Sequence, residues 1–82
     1  MGARVKMPRE LENLLRSELE RAIYESALHK DDELIARRYL VEKMAQIDIA
    51  AELGWERSTI SRRLPLIISR VELSAKKLFC AD

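Results

Sequence analysis

The sequence has few of the residues that interrupt helices or cross-link small folds. Its 82 residues include two glycines, two prolines and one cysteine, and aromatic residues make up 5% of the chain. So few chain breakers exclude a turn-rich β fold and favour long helices. The lone cysteine, Cys80, excludes a disulfide framework and a Cys/His metal cluster, so we expect a cytoplasmic protein with no metal and no cofactor.

Long apolar runs are also missing. No stretch of about 18 apolar residues occurs, so we expect no membrane span, and the first six residues lack the apolar centre of a signal peptide. The chain is instead 48% hydrophobic and 35% charged, which is typical of a folded, helix-rich domain. Its length suits one helical domain over residues 9–82, preceded by a flexible basic arm at residues 1–8.

Charge is unevenly distributed along the chain, although the formal net charge is only +1. Residues 8–35 carry four basic and eight acidic side chains, a net of −4, whereas residues 36–82 carry nine basic and six acidic ones, a net of +3. A polyanionic partner is therefore expected to meet the second half of the chain.

Apolar residues recur at helical spacing in the first half of the chain. They predict a long amphipathic helix from Arg9 to about Leu28, whose stripe suits either a core or a homodimer seam. A second helix is predicted from about Glu33 to Val41, with Asp31 or Asp32 as its N-cap. A third, short helix is predicted from about Ala45 to Leu53.

The last predicted helix begins near Arg57 and includes Pro65. Gly54 is expected to end the preceding helix in the left-handed conformation, and Trp55 to pack down as a plug. Proline disfavours a helix interior, yet the apolar phase continues through Pro65, which favours one helix kinked there over two separate helices. The predicted fold is all-α: a helix-turn-helix three-helix core with a long N-terminal helix and a long, Pro-kinked C-terminal helix.

Residues 45–64 contain the predicted helix-turn-helix, and QIDIAAELGWERSTISRRL (residues 46–64) carries the functional signal. Ala50, Gly54 and Ile60 have the spacing of two helices that cross steeply at a tight turn. Ile60 and Leu64 are expected to face the core, which turns hydroxyl and guanidinium groups outward. Such groups bond to base edges and phosphates, so this helix is expected to enter the major groove of DNA.

Two sets of residues are candidates for DNA contact, with a solvated charged face as the alternative for the arginines. The candidates for base contact are Arg57, Ser58, Ser61 and Arg62. The candidates for phosphate contact are Gln46, Thr59, Arg63 and Arg70.

Residues 33–64 resemble the C-terminal helix-turn-helix domain, region 4, of bacterial sigma-70-type factors, and equally small phage and prophage regulators with that domain. The matching motifs are Arg38-Tyr39, Ile49-Ala50, Leu53-Gly54 and residues 58–62, STISR. The resemblance implies sequence-specific binding of double-stranded DNA in transcription regulation, and base reading by Arg57, Ser58, Ser61 and Arg62. It implies a free-standing regulator or one domain of a longer protein, because the core-promoter-binding domain of a sigma factor is not in this chain.

The sequence departs from the family pattern at three positions. Ala45 and Glu56 stand where the family has small polar residues before the two helices of the motif, and Trp55 replaces a smaller aliphatic residue. Glu56 is a weaker cap and places negative charge near the expected phosphates.

Other functions stay open. A helical module that binds RNA polymerase or another factor would show no steep salt dependence with DNA, and a recombinase, transposase or phage packaging protein uses similar DNA-binding units. A purely structural helix corner is the remaining alternative. An enzyme is not expected, since His29 has no second ligand, Cys80 has no activating neighbour and no glycine-rich phosphate loop is present.

Overall fold

The computed structural model describes residues 9–79, with side chains from Leu11 onward. All regular structure in this range is helical: α1 is Arg9–Glu12, α2 is Arg16–Glu25, α3 is Lys30–Ala36, α4 is Gln46–Leu53 and α5 is Arg57–Phe79. A π-helical turn, Arg37–Val41, continues α3. The predicted all-α class is therefore confirmed for the described residues, while the expected flexible arm at residues 1–8 and Cys80 lie outside them.

The prediction of one long N-terminal helix is wrong, because the chain breaks between α1 and α2. The Glu18 carboxylate accepts a hydrogen bond from the Leu15 amide at 2.9 Å, which satisfies a backbone donor at the start of α2. At the other end, the Ser26 hydroxyl donates to the Ala22 carbonyl at 2.7 Å, and Ala27 has a φ of 51°. Bonds between side chains and the local backbone thus divide a segment whose apolar spacing is continuous.

α3 starts earlier than predicted. Its N-cap is His29, and Asp31 and Asp32 lie in the first turn rather than at the cap. Carboxylates in a first turn interact favourably with the free amides of a helix start, so the acidic pair supports a helix that begins at Lys30.

α4 ends in the tight corner that the glycine predicts. Gly54 has a φ of 72° in the left-handed region, and its amide donates to the Ala51 carbonyl at 3.3 Å. The Trp55 amide donates to the Ala50 carbonyl at 2.8 Å. These two bonds form a Schellman motif, which satisfies the last carbonyls of α4 and fixes the direction of the chain into α5.

α5 is one helix that continues through Pro65, as predicted; the kink at this residue stays a prediction. Pro65 is exposed, whereas the opposite face of α5 is buried. The proline ring therefore lies on the solvent side of α5.

The core is built around α5, which packs against α1, α2, α3 and α4. Trp55 is partly buried and packs against this core, in agreement with the predicted plug. The apolar stripe expected on the first helix enters the same core. The buried residues are Leu11, Leu19, Ala22, Ile23, Ile35, Ala36, Leu40, Ile49, Ala50, Ile60, Leu64, Ile67, Ile68, Val71 and Ala75.

Candidate nucleic-acid interface

Three predicted base-contacting residues stand clear of the protein at the start of α5. Arg57, Ser58 and Arg62 are exposed, whereas Ile60 and Leu64 of the same turns are fully buried. Between Leu11 and Phe79, neither Arg57 nor Arg62 forms an ion pair. We call Arg57, Ser58 and Arg62 the outer ridge, because their hydrogen-bond donors are available to a partner.

Ser61 is not counted in this ridge, because its hydroxyl already has a partner within the protein. The residue is half-buried, and its hydroxyl donates to Oε1 of Gln46, the first residue of α4. This bond ties α5 to the start of α4. It uses the oxygen of the Gln46 amide and leaves both N–H donors of that amide for a further acceptor.

Arg63 is held by two neighbours on the side of α5 that faces α3. Its Nη1 lies 2.7 Å from Oδ1 of Asp32, and its guanidinium carbon lies 5.1 Å from the centroid of the Trp55 ring. A cation over an aromatic ring and an ion pair each contribute modestly, but together they give this long side chain a fixed direction.

The other two phosphate candidates differ in their distance along α5 from the outer ridge. Thr59 is half-buried, and Arg70 is exposed almost two turns after Arg63. Arg70 lines a groove of about 250 Å³ between α5 and the connection from α2 to α3. The groove also includes Ala27, Leu28, His29, Asp32, Arg63, Leu66 and Ile67. Of the eight candidates, Arg70 therefore lies farthest along α5 from the outer ridge.

Arg38, which the sequence marks only through the family motif, links α4 to the π-helical turn by ion pairs. Nε of Arg38 lies 3.1 Å from both carboxylate oxygens of Glu52, and Nη1 bonds to Glu42. Hydrogen bonds to Glu52, and then to Glu42, raise the pKa of Arg38 above its ordinary value. The spacing of Arg38 and Glu42 could have revealed the local one of these ion pairs.

Two further residues near the ridge were also missed. The sequence predicts Asp32 only as a helix cap, and the core periodicity of α5 does not include Leu66. Leu66 is 72% exposed on the outer side of α5, and Leu73, one heptad later, is 57% exposed. Contiguous exposed apolar side chains mark a contact surface, and these two leucines lie on one side of α5, a pairing that the sequence alone does not separate from core periodicity.

Metal binding and membrane insertion find no support in the described residues. No group of three or more His, Cys, Asp or Glu residues in the described part of the chain is placed to hold a metal ion. No helix between residues 9 and 79 has the length and apolar character to cross a membrane.

The chain matches no protein-family model, and no curated protein or solved structure matches it. The resemblance to sigma region 4 therefore depends on the sequence motifs alone.

Proposed function

We propose that this protein binds double-stranded DNA by inserting the start of α5 into the major groove, with α4, the Gly54 corner and α5 acting as a helix-turn-helix. The outer ridge carries the proposal, because unpaired guanidinium and hydroxyl groups stand at the start of a helix that the core holds firmly. Arginine forks onto the edge of guanine, and serine bonds to bases or phosphates. A role in transcription regulation in a bacterium or phage rests on the sigma-like motifs.

The rigidity of the α4–α5 junction supports this function. The Schellman corner, the bond between Ser61 and Gln46, and the burial of Ala50 and Ile60 all fix the angle between the two helices. A base-reading helix needs such support, because direct readout depends on side chains that are already in position.

Phosphate contacts are assigned to residues on either side of the ridge. Gln46 retains two amide donors at the start of α4, and Thr59, Arg63 and Arg70 flank the outer face of α5. With four to six phosphate contacts per protein, the slope of log affinity against log salt is expected to be about −4 to −5.

A titration of fluorescent random and genomic duplexes at two salt concentrations tests the proposal. The wild type should bind with the steep salt slope, and Arg62→Gln should lose about 1–3 kcal/mol at the preferred sequence because a forked base contact is removed. Arg21→Gln is the matched control, since Arg21 is an exposed arginine on α2, a helix that contributes none of the proposed DNA contacts. Absence of duplex binding, or equal losses in the two variants, would contradict the proposal.

A protein partner is the second candidate, and the exposed Leu66 and Leu73 favour it. Two leucines seven residues apart lie on one side of a helix, as in a helix–helix seam. RNA polymerase or another factor would then be the ligand, and DNA binding would be weak with a shallow salt slope. A recombinase or phage packaging role would give the same DNA-binding result as the main proposal.

A homodimer through residues 9–28 stays a prediction. Most of the apolar stripe of this segment is used in the protein's own core, and its exposed large apolar side chains among the described residues are Leu15 and Tyr24. Light scattering on the DNA-binding sample would give the mass.

A further inference from the structure

Arg63 differs from the arginines of the outer ridge because it already forms an ion pair, with the carboxylate of Asp32. The Arg63 side chain is 47% exposed, while that of its partner Asp32 is 17% exposed. The Trp55 ring packs against the same guanidinium. A phosphate therefore reaches Arg63 only from its open side, whereas the protected side already holds a negative charge.

The ion pair weakens the electrostatic attraction between Arg63 and a polyanion. A carboxylate 2.7 Å away cancels most of the charge that a phosphate at contact distance would feel. Arg57 and Arg62, which have no such partner between residues 11 and 79, keep their full charge. The α3 edge of α5 is thus less attractive to a DNA backbone than its sequence indicates.

We propose that Asp32 is a positioning residue that holds Arg63 at the α3 edge of α5 and lowers its contribution to DNA affinity. The inference rests on the proposed DNA-binding function. Phosphate contacts provide sequence-independent affinity, while base contacts discriminate. Restraining one cation beside the ridge therefore makes binding depend more on Arg57, Ser58 and Arg62 and favours the correct sequence.

The chain supplies a matched control for Asp32. Asp31 precedes it in the first turn of α3, is exposed, and forms no ion pair with the residues from Leu11 to Phe79. Asp31→Asn and Asp32→Asn remove the same charge from the same helix turn. They differ in whether an arginine of α5 is released, which separates a local effect from the change in net charge.

The experiment measures affinity at several salt concentrations for two duplexes. One has a random sequence, and the other has the sequence that the wild type binds most tightly in the titration of genomic duplexes. Asp32→Asn should make the salt slope for the random duplex steeper by up to about 0.9, the value for a full phosphate contact, because Arg63 contributes only part of one while it is paired with Asp32. Its affinity relative to wild type should then rise by up to about 3.5-fold between 0.2 M and 0.05 M salt. The selected duplex should gain less, so the ratio of specific to random affinity should fall.

A further variant tests whether Arg63 causes the increase in affinity for the random duplex. In an Arg63→Gln background, Asp32→Asn should have no larger effect than Asp31→Asn. Circular dichroism checks that each variant is folded, and Asp32→Ser, a smaller uncharged polar residue that also removes the ion pair with Arg63, replaces Asp32→Asn if that protein unfolds.

The possible failures are distinguishable. Weaker binding by Asp32→Asn, or a salt slope equal to that of Asp31→Asn, would overturn the role of Asp32 while DNA binding by the wild type still supports the proposed function. A wild type that binds neither duplex would overturn both.

Discussion

Gly54 is the residue through which α4 directs the chain into α5. Its φ of 72° is a conformation that other residues adopt at a cost, yet a Cβ added there would meet no atom within 4 Å. The requirement for glycine is therefore one of backbone conformation and not of space.

Replacement of Gly54 should reduce stability through the backbone alone. Gly54→Ala should lower the free energy of unfolding by about 1–2 kcal/mol, the cost of the left-handed conformation for a residue with a Cβ. Gly54→Asn should cost less, since asparagine tolerates this conformation. Urea denaturation followed by circular dichroism measures both changes, and an alanine variant as stable as the wild type would show that another backbone conformation serves equally well.

Among the elements, α5 combines the core and the outer ridge in one helix of 23 residues. Pro65 lies in its interior and cannot donate the amide hydrogen bond that the Ser61 carbonyl would otherwise accept. Because the residue is exposed, its ring contributes little packing that would offset this loss.

Pro65→Ala should therefore stabilise the protein, by up to about 3 kcal/mol, which is the difference between proline and alanine inside a helix. Ser69→Ala, one turn later on the exposed side of α5, is the control and should change stability by no more than about 0.5 kcal/mol. Thermal unfolding measures both. A lower melting temperature for Pro65→Ala would mean that the proline's restriction of the unfolded chain outweighs the missing bond.

The elements also show how far the sequence predicts the fold. Gly54 and the apolar spacing place α4 within one residue and set the start of α5 at Arg57, because a left-handed glycine is a strong local stop. The break between α1 and α2 has no glycine or proline to mark it, and it depends on the bond between Glu18 and the Leu15 amide. Apolar periodicity cannot reveal such a break, since it continues on both sides.

For the molecule as a whole, one core supports the candidate site. α2 contributes Leu19, Ala22 and Ile23 to the core against which α5 packs. The ridge therefore depends for its position on a helix that contributes none of its DNA-contact candidates.

Ile23→Ala should destabilise the whole molecule by about 2–5 kcal/mol, because a fully buried side chain is truncated. Tyr24→Ala, at the adjacent and 73% exposed position, should change stability by no more than about 0.5 kcal/mol. Unfolding monitored by circular dichroism and by tryptophan fluorescence should give coincident transitions in a domain with one core. Equal losses in the two variants, or separate transitions for the two probes, would argue against a single shared core.

Contacts between distant parts of the molecule also limit how well the sequence predicts the candidate site. Helical phase alone correctly separates Arg62 from Leu64, but it assigns Ser61 and Arg63 without their neighbours. Their partners, Gln46 and Asp32, lie 15 and 31 residues away in the chain. Whether a polar side chain faces a partner or solvent is decided by such tertiary contacts, which no local pattern contains.

Trp55 gives the molecule an optical label at the point where α5 begins. It is the only tryptophan in the chain, and the Arg63 guanidinium lies over its ring. Selective excitation of indole therefore reports on a single location, without an attached dye. Emission from that ring is sensitive to whether the guanidinium stays or leaves, so movement of one side chain can be followed in the unmodified protein.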